Sequence, residues 1–330
     1  MYTISLKNGK TFLCQGDSTI FEAAKMNGIV LEHSCLSARC RNCAAQLLEG
    51  TTLDKIDDLV LSPEEKINNW ILTCNSIPTS NLVLNIDDLR GIKIFEKKIT
   101  PAKIQCIKRV NENIIEVRLR LPPNTNFRYI SGQYVNITRG TIKRSYSIAN
   151  SHQENGLLTF FIRKYQNGQM SKYWFNEAKE NDLVRIEGPL GSFFFRESIV
   201  ENIVFLATGT GVAPIKAILE SIGRSSQQLT NKKLWLFVGA RNEDDIFWHP
   251  SLFINDSNFN YIPVLSKASE HWKGESGYVQ DILIKLNIPL AKAQVYACGS
   301  NNMIESAKKL LIENGLNKIH FFSDAFVQSN

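Results

Sequence analysis

The stretch His33–Cys43, HSCLSARCRNC, holds three cysteines in the spacing Cys35-x4-Cys40-x2-Cys43, and a fourth, Cys74, closes the apolar run WILTC. This is the spacing of the plant-type thiolate ligands of a [2Fe–2S] cluster. We therefore predict that these four cysteines bind an iron–sulfur cluster. A structural zinc site and buried thiols are the alternatives. Zinc sites more often use two separated C-x2-C pairs, and the chain contains one.

The size and composition are those of a globular protein with more than one domain. At 330 residues the chain exceeds a single compact core, so two or three domains are expected. No apolar run has the length of a membrane span, and the N-terminus lacks the apolar core of a signal peptide. Because thiolate ligands need a reducing compartment, we expect a cytoplasmic protein. The formal net charge of +6 is spread along the chain, and neither nucleic acid nor a membrane is expected as a partner.

The first 90 residues have the pattern of a small ferredoxin-like domain. Two strand candidates flank the turn signal Asn8–Gly9, and N-cap residues at 17–19 precede a short helix. The cysteine loop follows, and a second helix opens at Ser62. We expect a linker over residues 91–101, which are charged and end in proline.

The remainder of the chain divides into two further segments. Residues 102–197 contain six short strand candidates separated by turn residues and interrupted by one helix, which predicts an antiparallel barrel. In residues 198–330, apolar strands alternate with helical patterns such as VAPIKAILESI. This alternation predicts a parallel sheet covered by helices on both faces.

Two nucleotide-binding signals stand out in these segments. The turn Gly209-Thr210-Gly211 lies between the apolar strand IVFLAT and a helix, where glycines and free helix N–H groups let the backbone approach a pyrophosphate. In the sequence RSYS (144–147), the arginine can hold a phosphate, and the tyrosine two residues on points to the same face of the strand. A tight turn without a ligand is the alternative for the first signal.

Taken in order behind the cysteine motif, six motifs resemble the ferredoxin-NADP reductase superfamily in its ferredoxin-fused form: RSYS, GQMS (168–171), GPLGSF (188–193), GTGVAP (209–214), VGAR (238–241) and YACGS (296–300). The resemblance implies a multidomain α+β and α/β protein with a β-grasp [2Fe–2S] ferredoxin domain, an antiparallel β-barrel FAD domain and a parallel-sheet NAD-binding domain. It also implies a reductase in which hydride passes from NADH to FAD, and electrons then pass singly to the [2Fe–2S] cluster and to a partner enzyme.

The resemblance assigns roles to individual residues. Arg144 would hold the FAD pyrophosphate, Tyr146 would flank the flavin, and Ser147 would hydrogen-bond near flavin N5. A second pyrophosphate contact would come from Gly168, Met170 and Ser171. The nicotinamide-nucleotide site would comprise Thr208, Gly209, Thr210, Gly211, Pro214, Gly239, Arg241, Cys298 and Gly299. Asp324 and Phe326 occupy the place of a carboxylate and an aromatic residue that close over the flavin. Ser147, Cys298 and Asp324 are therefore the candidates for roles in hydride transfer.

The C-terminal third resembles one branch of this superfamily, on the stretches YIPVLS, HWKGESGYVQDIL and FFSDAFV. Members of that branch supply electrons to CDP-hexose 3-dehydrases in dideoxyhexose synthesis for surface polysaccharide, which implies such a dehydrase as the partner. Reductases of aromatic-ring or alkane oxygenases share the same cofactor motifs and are the alternative. A non-enzymatic electron carrier is a third possibility, disfavoured because all three sets of site residues are present.

The coenzyme preference depends on the residues after VGAR. Arg241 is followed by Asn242 and by the three acids Glu243, Asp244 and Asp245. An arginine in this region can accommodate the 2′-phosphate of NADPH, but three acids would repel that phosphate. Together with the NADH preference of the branch, this predicts NADH as the electron donor.

Overall fold

The computed structural model describes residues 1–57, 60–89, 91–92, 94–223, 229, 231–251 and 256–326. The chain divides into two compact units, Met1–Ile94 and Phe95–Asn330. Residues 90 and 93, at the predicted boundary between the ferredoxin-like domain and the linker, lie outside the described residues. In the described part of the chain, no helix is both long and apolar enough to cross a membrane.

The first unit is a mixed β-sheet with a short helix. Its elements are β1 (Tyr2–Leu6), β2 (Thr11–Cys14), α1 (Ile20–Met26), β3 (Ala44–Glu49), β4 (Thr52–Asp54), α2 (Pro63–Ile67), β5 (Trp70–Leu72), β6 (Ser76–Pro78) and β7 (Leu82–Leu84). The sheet has the strand order β2-β1-β7-β3-β5, with β1 and β7 parallel. A separate two-stranded sheet is formed by β4 and β6. This arrangement confirms the predicted β-grasp fold.

Local sequence explains where both helices of this unit begin. Thr19 caps α1 in a reciprocal capping box with Glu22, and Ser62 caps α2 in the same way with Glu65. Such boxes satisfy backbone N–H groups that would otherwise lack a partner at a helix start. The second box also fixes the backbone position of Glu65.

The second unit begins with an antiparallel sheet. Its elements are β8 (Lys98–Arg109), β9 (Ile114–Arg120), β10 (Tyr134–Arg139), β11 (Ile142–Ser147), β12 (Leu157–Arg163), α3 (Gln169–Lys172) and β13 (Leu183–Leu190). The strand order is β11-β10-β13-β8-β9-β12, a partly closed barrel as predicted. The expected single helix is α3, which continues as a π-helical turn over Tyr173–Glu177. On β13, the carboxylate of Glu187 pairs with both Lys97 and Lys143.

A parallel sheet completes the second unit. Its elements are β14 (Asn202–Thr208), α4 (Val212–Gly223), β15 (Lys233–Ala240), β16 (Phe259–Leu265), β17 (Glu275–Ser276), α5 (Val279–Lys285), β18 (Ala293–Gly299), α6 (Asn301–Glu313) and β19 (Phe321–Ala325). The strand order is β17-β16-β15-β14-β18-β19. One face packs on α4 and the other on α5 and α6, which confirms a sheet covered on both faces.

The strand order of the parallel sheet locates its ligand crevice. After β14 the chain continues to β15 on one side, and it returns later to β18 on the other side. Ligands of open parallel sheets bind outside the carboxyl ends of the strands at such a reversal. Thr208 ends β14 and Gly299 ends β18, so the two predicted nicotinamide-nucleotide motifs meet at this position.

Candidate functional site

The cysteine loop lies between α1 and β3, and several of its backbone N–H groups point toward cysteine sulfur atoms. The N–H of Cys35 donates to the Cys40 Sγ at 3.3 Å. The N–H groups of Ser37 and Arg39 donate to the Cys35 Sγ at 3.4 and 3.3 Å. Backbone donors of this kind stabilise thiolate charge and tune the potential of an iron–sulfur cluster. The loop is therefore shaped to hold deprotonated sulfur.

The four thiols lie in two pairs. Cys43 and Cys74 have their Sγ atoms 3.2 Å apart, and a side-chain hydrogen bond likewise joins Cys35 to Cys40. Each bond lowers the pKa of one thiol, that of Cys35 to about 5 and that of Cys74, and raises the pKa of its partner, Cys40 or Cys43. Among the described residues, no group of three or more His, Cys, Asp or Glu side chains is placed to hold a metal ion. Pairs of thiols suit two irons with two protein ligands each better than a single zinc ion.

The predicted flavin contacts lie on β11. Arg144 and Tyr146 are half-buried on alternate positions of the strand, and Ser147 is buried at its end. The Tyr146 hydroxyl accepts a hydrogen bond from Trp174 Nε1 at 3.1 Å, and the two rings meet edge to face at 6.4 Å. Burial raises the pKa of Tyr146 well above its usual value, so this hydroxyl stays neutral. The strand therefore offers a half-exposed cation, an aromatic ring held by a hydrogen bond and a hydroxyl, which are the groups predicted for the FAD site.

Trp174 is a residue of this region that the sequence analysis missed. It lies one residue into the π-helical turn that follows the GQMS motif, and it is 2% exposed. The only sequence signal was the aromatic run YWF directly after GQMS. That run could not show which of its rings reaches Tyr146, 28 positions earlier.

The GQMS motif forms a tight turn at the start of α3. Gly168 is the N-cap, and Met170 and Ser171 are buried. The Ser171 Oγ accepts a hydrogen bond from the N–H of Tyr165 at 2.9 Å, and a Cβ on Gly168 would lie 3.1 Å from that same oxygen. A side chain at 168 would therefore crowd the turn, which fits a backbone site for a pyrophosphate.

The GTG turn and the end of β18 pack directly against each other. A Cβ on Gly211 would lie 2.2 Å from the carbonyl oxygen of Cys298, and a Cβ on Gly299 would lie 2.1 Å from the Thr208 Oγ1. The N–H of Ser300 donates to that same Thr208 oxygen at 3.2 Å. Only glycine permits these approaches, so the turn can present its backbone to a dinucleotide at the sheet edge.

The remaining residues predicted for the nicotinamide-nucleotide site surround this turn. Thr210 is buried, and Pro214 lies in the first turn of α4. A Cβ on Gly239 would lie 3.0 Å from the Thr208 side chain, and Arg241 is exposed just beyond β15. The structure thus brings both glycine motifs and Gly239 to one edge of the sheet, with Arg241 at its margin.

Cys298 and Asp324 lie opposite each other on β18 and β19. Cys298 has no exposed surface, and burial, followed by the charge of Asp324, raises the pKa of its thiol well above the usual value. The N–H of Phe326 donates to the Gly299 carbonyl oxygen at 3.0 Å, and its side chain packs on the core beside Cys298. The structure therefore gathers these three predicted residues, with Cys298 as a neutral thiol.

Three family models together match most of the chain. A 2Fe-2S iron-sulfur cluster binding domain matches residues 5–79, an oxidoreductase FAD-binding domain matches residues 101–195, and an oxidoreductase NAD-binding domain matches residues 205–309. These matches confirm the three cofactors predicted from the sequence. The protein is an NAD(P)H-dependent flavin and iron–sulfur oxidoreductase.

Relatives define the family more closely. The chain is 38% identical over 98% of its length to the CDP-6-deoxy-L-threo-D-glycero-4-hexulose-3-dehydrase reductase of Yersinia pseudotuberculosis serotype I, covering 97% of that protein. It is 29% identical over 99% of its length to the anthranilate 1,2-dioxygenase electron transfer component of Acinetobacter baylyi, covering 97% of it. The chain belongs to the family of the Yersinia reductase, which confirms the branch that its C-terminal third predicted.

A solved structure agrees with this fold. The Amycolatopsis cytochrome P450 reductase GcoB superposes with a TM-score of 0.74 at 22% identity, over 99% of both chains. At this identity the match supports the fold alone. The shared fold extends over nearly the whole of both chains.

Proposed function

We propose that this reductase passes electrons from NADH to a CDP-hexose 3-dehydrase. The observation that carries the proposal is the full-length similarity to a named dehydrase reductase, which exceeds the similarity to a dioxygenase component. The partner enzyme would use the electrons to remove an oxygen from the hexose ring of a CDP-sugar. Oxygenase reductases share the same three domains, so the choice of client rests on this difference in similarity.

The residues of the second unit would hold the two nucleotides in fixed positions. When bound, FAD accepts hydride from a nicotinamide and gives up electrons one at a time, which is the form a [2Fe–2S] cluster carries. Arg144 would bind the FAD pyrophosphate by charge-assisted hydrogen bonds, and the backbone at Gly168 would bind it from the other side. Tyr146, held by Trp174, would set the plane of the flavin. The hydroxyl of Ser147 would donate a hydrogen bond at the edge of the ring.

The turn Gly209–Gly211 would bind the nicotinamide dinucleotide through its backbone, at the reversal of the sheet. Cys298 and Asp324 would lie at the end of this site, buried beside the path of the hydride. Because Cys298 is fully buried and neutral, it would act by shape and packing rather than as a nucleophile.

NADH is the proposed electron donor. Glu243 and Asp244 are exposed beside Arg241, whereas the Asp245 carboxylate accepts a hydrogen bond from its own turn, from the N–H of Asn242 at 3.3 Å. Two exposed acids therefore follow Arg241, the arginine proposed to bind a 2′-phosphate, within three residues of the chain. This charge balance disfavours the doubly charged 2′-phosphate of NADPH.

Reconstitution tests the client. The reductase, NADH and CDP-6-deoxy-L-threo-D-glycero-4-hexulose are combined with the 3-dehydrase that the Yersinia reductase serves, and the deoxygenated sugar is measured by chromatography. We expect product only when all four components are present. If the reductase instead supports an anthranilate dioxygenase and leaves the dehydrase idle, its client is an oxygenase. A dye acceptor serves as the control, since it reports electron flow with either client.

A further inference from the structure

Arg41, like Leu36 and Ala38 of the same cysteine loop, has a left-handed backbone conformation. It lies between the ligands Cys40 and Cys43 and has a φ of 64°, in the left-handed region that favours glycine. A long, charged side chain at such a position indicates that the side chain contributes something a glycine would not.

The contacts of the Arg41 side chain show that contribution. Its Nη1 donates to the carbonyl oxygen of Val60 at 2.9 Å, and its Nη2 pairs with the carboxylate of Glu65. Both side chains of the pair are 26% exposed, so solvent only partly screens the interaction. Glu65 is itself held by the N–H of Ser62, which donates to its Oε2 at 2.9 Å in the α2 capping box. The guanidinium group of Arg41 therefore binds both Val60, which precedes α2, and Glu65 within α2.

Val60 and Leu61, the two residues before the N-cap of α2, form an apolar wall beside two of the cluster thiols. Leu61 is 7% exposed and packs with Cys43 and Leu72, and Val60 packs against the same group together with Cys74. Cys43 and Cys74 form one of the two thiol pairs. The wall of Val60 and Leu61 thus covers one half of the cluster site, and Arg41 joins the cysteine loop to this wall.

We propose that Arg41 and Glu65 are positioning residues that hold the Val60–Leu61 wall closed over the Cys43–Cys74 half of the cluster. A closed wall excludes water and chelators from that iron. Solvent exposure is one of the factors that set the potential of an iron–sulfur cluster, so the pair also contributes to the electronic setting of the site. This inference concerns the cluster itself and does not depend on which enzyme receives the electrons.

Chelation of the holoprotein tests the proposal. Arg41→Gln, Glu65→Gln and the double variant are treated anaerobically with EDTA, and the loss of cluster absorbance is followed in time. We expect each single variant to lose the cluster about tenfold faster than wild type, because a charge-assisted contact is removed from a partly buried pair. The double variant should be no faster than the singles, since either change alone opens the wall. The matched control is Arg39→Gln, an exposed arginine of the same loop, which should stay within twofold of wild type.

Whether each substitution raises or lowers the rate of cluster loss distinguishes a closed wall from simple electrostatics. EDTA is an anion, so electrostatics alone would make Arg41→Gln slower and Glu65→Gln faster, whereas the wall predicts that both become faster. Visible circular dichroism of the oxidised cluster should change in the same way in both variants. Opposite signs, an additive double variant, or wild-type rates in Arg41→Gln would overturn the proposal.

Arg41→Gly provides a variant that folds without the strained backbone. Glycine accepts the left-handed conformation, so the thermal unfolding midpoint should not fall, but the grip on the wall is lost. We expect cluster loss about tenfold faster at an unchanged midpoint. An Arg41→Gly protein that loses its cluster to EDTA as slowly as wild type would show that the wall stays closed without the arginine. That result would overturn the proposal.

Discussion

Replacing Gly211 by alanine perturbs the proposed dinucleotide site at the position where its two halves touch. The Cβ of Gly211→Ala would lie 2.2 Å from the Cys298 carbonyl oxygen, 2.5 Å from the Cys298 carbonyl carbon and 2.8 Å from the Gly299 Cα. All three are backbone atoms, so no side-chain rotation can relieve the overlap. The turn at 209–211 or the end of β18 must move.

The size of the movement follows from these distances. Ordinary van der Waals contact begins near 3.4 Å, and the closest approach falls short of it by 1.2 Å. Forcing an extra carbon into a packed region costs about 1–3 kcal/mol of folding stability. A displacement of about 1 Å in a group that positions a substrate can lower a rate about 100-fold. We therefore expect a modest loss of stability and a large loss of kcat/KM for NADH.

The assay is steady-state reduction of a dye acceptor by NADH, with FAD and cluster absorbance recorded on the same sample. Both absorbances should match wild type, because the flavin contacts predicted on β11 and the four cysteines predicted to bind the cluster lie elsewhere. Gly16→Ala is the control, since its Cβ would meet only the Tyr2 ring at 3.9 Å and should change nothing. A Gly211→Ala enzyme with kcat/KM for NADH within twofold of wild type would refute the assignment of this turn.

Three further predictions address the other sites. Cys74→Ser should lose most of the cluster absorbance while FAD stays bound. Cys14→Ser alters a buried thiol of the sheet core and should keep the cluster. The reverse pattern of visible spectra would contradict the ligand assignment. Arg144→Ala should purify with less FAD because a phosphate contact is lost. Ser147→Ala should keep FAD, but its reduction in stopped flow should be slower. A fully yellow, fully active Arg144→Ala protein would contradict the role of Arg144 in FAD binding. The hydrogen bonds of Glu187 to its two lysine partners lower its pKa to about 2, so their stabilisation is complete above the unfolded value near 4.5 and is lost as the pH falls toward 2. Urea unfolding should therefore show wild type more stable than Glu187→Gln by about 2 kcal/mol at pH 7 and equally stable near pH 2.

The features that the sequence predicted are those carried by short, local patterns. The spacing of Cys35, Cys40 and Cys43 sets a loop geometry by itself, and the alternation in RSYS sets which side chains share a strand face. The position of the GTG turn between a strand and a helix determined where a dinucleotide could bind. Each of these signals lies in one continuous stretch of the chain, so no knowledge of tertiary contacts was needed.

The features that the sequence did not reveal depend on contacts between distant segments. Trp174 reaches Tyr146 across 28 positions, and Arg41 reaches Glu65 across 24. Nor does a helical pattern indicate that α3 would pass into a π-helical turn, the feature that carries Trp174. The pairing of thiols two by two likewise became visible only once Cys74 was placed beside Cys43.

The structure also shows how the two predicted nucleotide sites keep a fixed relation within the second unit. Two residues beyond RSYS, the Ala149 carbonyl oxygen accepts a hydrogen bond from the Lys216 ammonium group of α4 at 2.8 Å. The Glu220 carboxylate on the same face of α4 accepts a hydrogen bond from the N–H of Ser151 at 2.9 Å. Helix α4 begins at the turn predicted to bind the dinucleotide, so this turn and the strand of the predicted flavin contacts are joined through one helix. Because Ala149 also packs in a core shared with Ile215 and Ile218, apolar burial reinforces the link. Hydride transfer tolerates little misplacement between donor and acceptor, and a polar link on a continuous core is a construction that limits such misplacement.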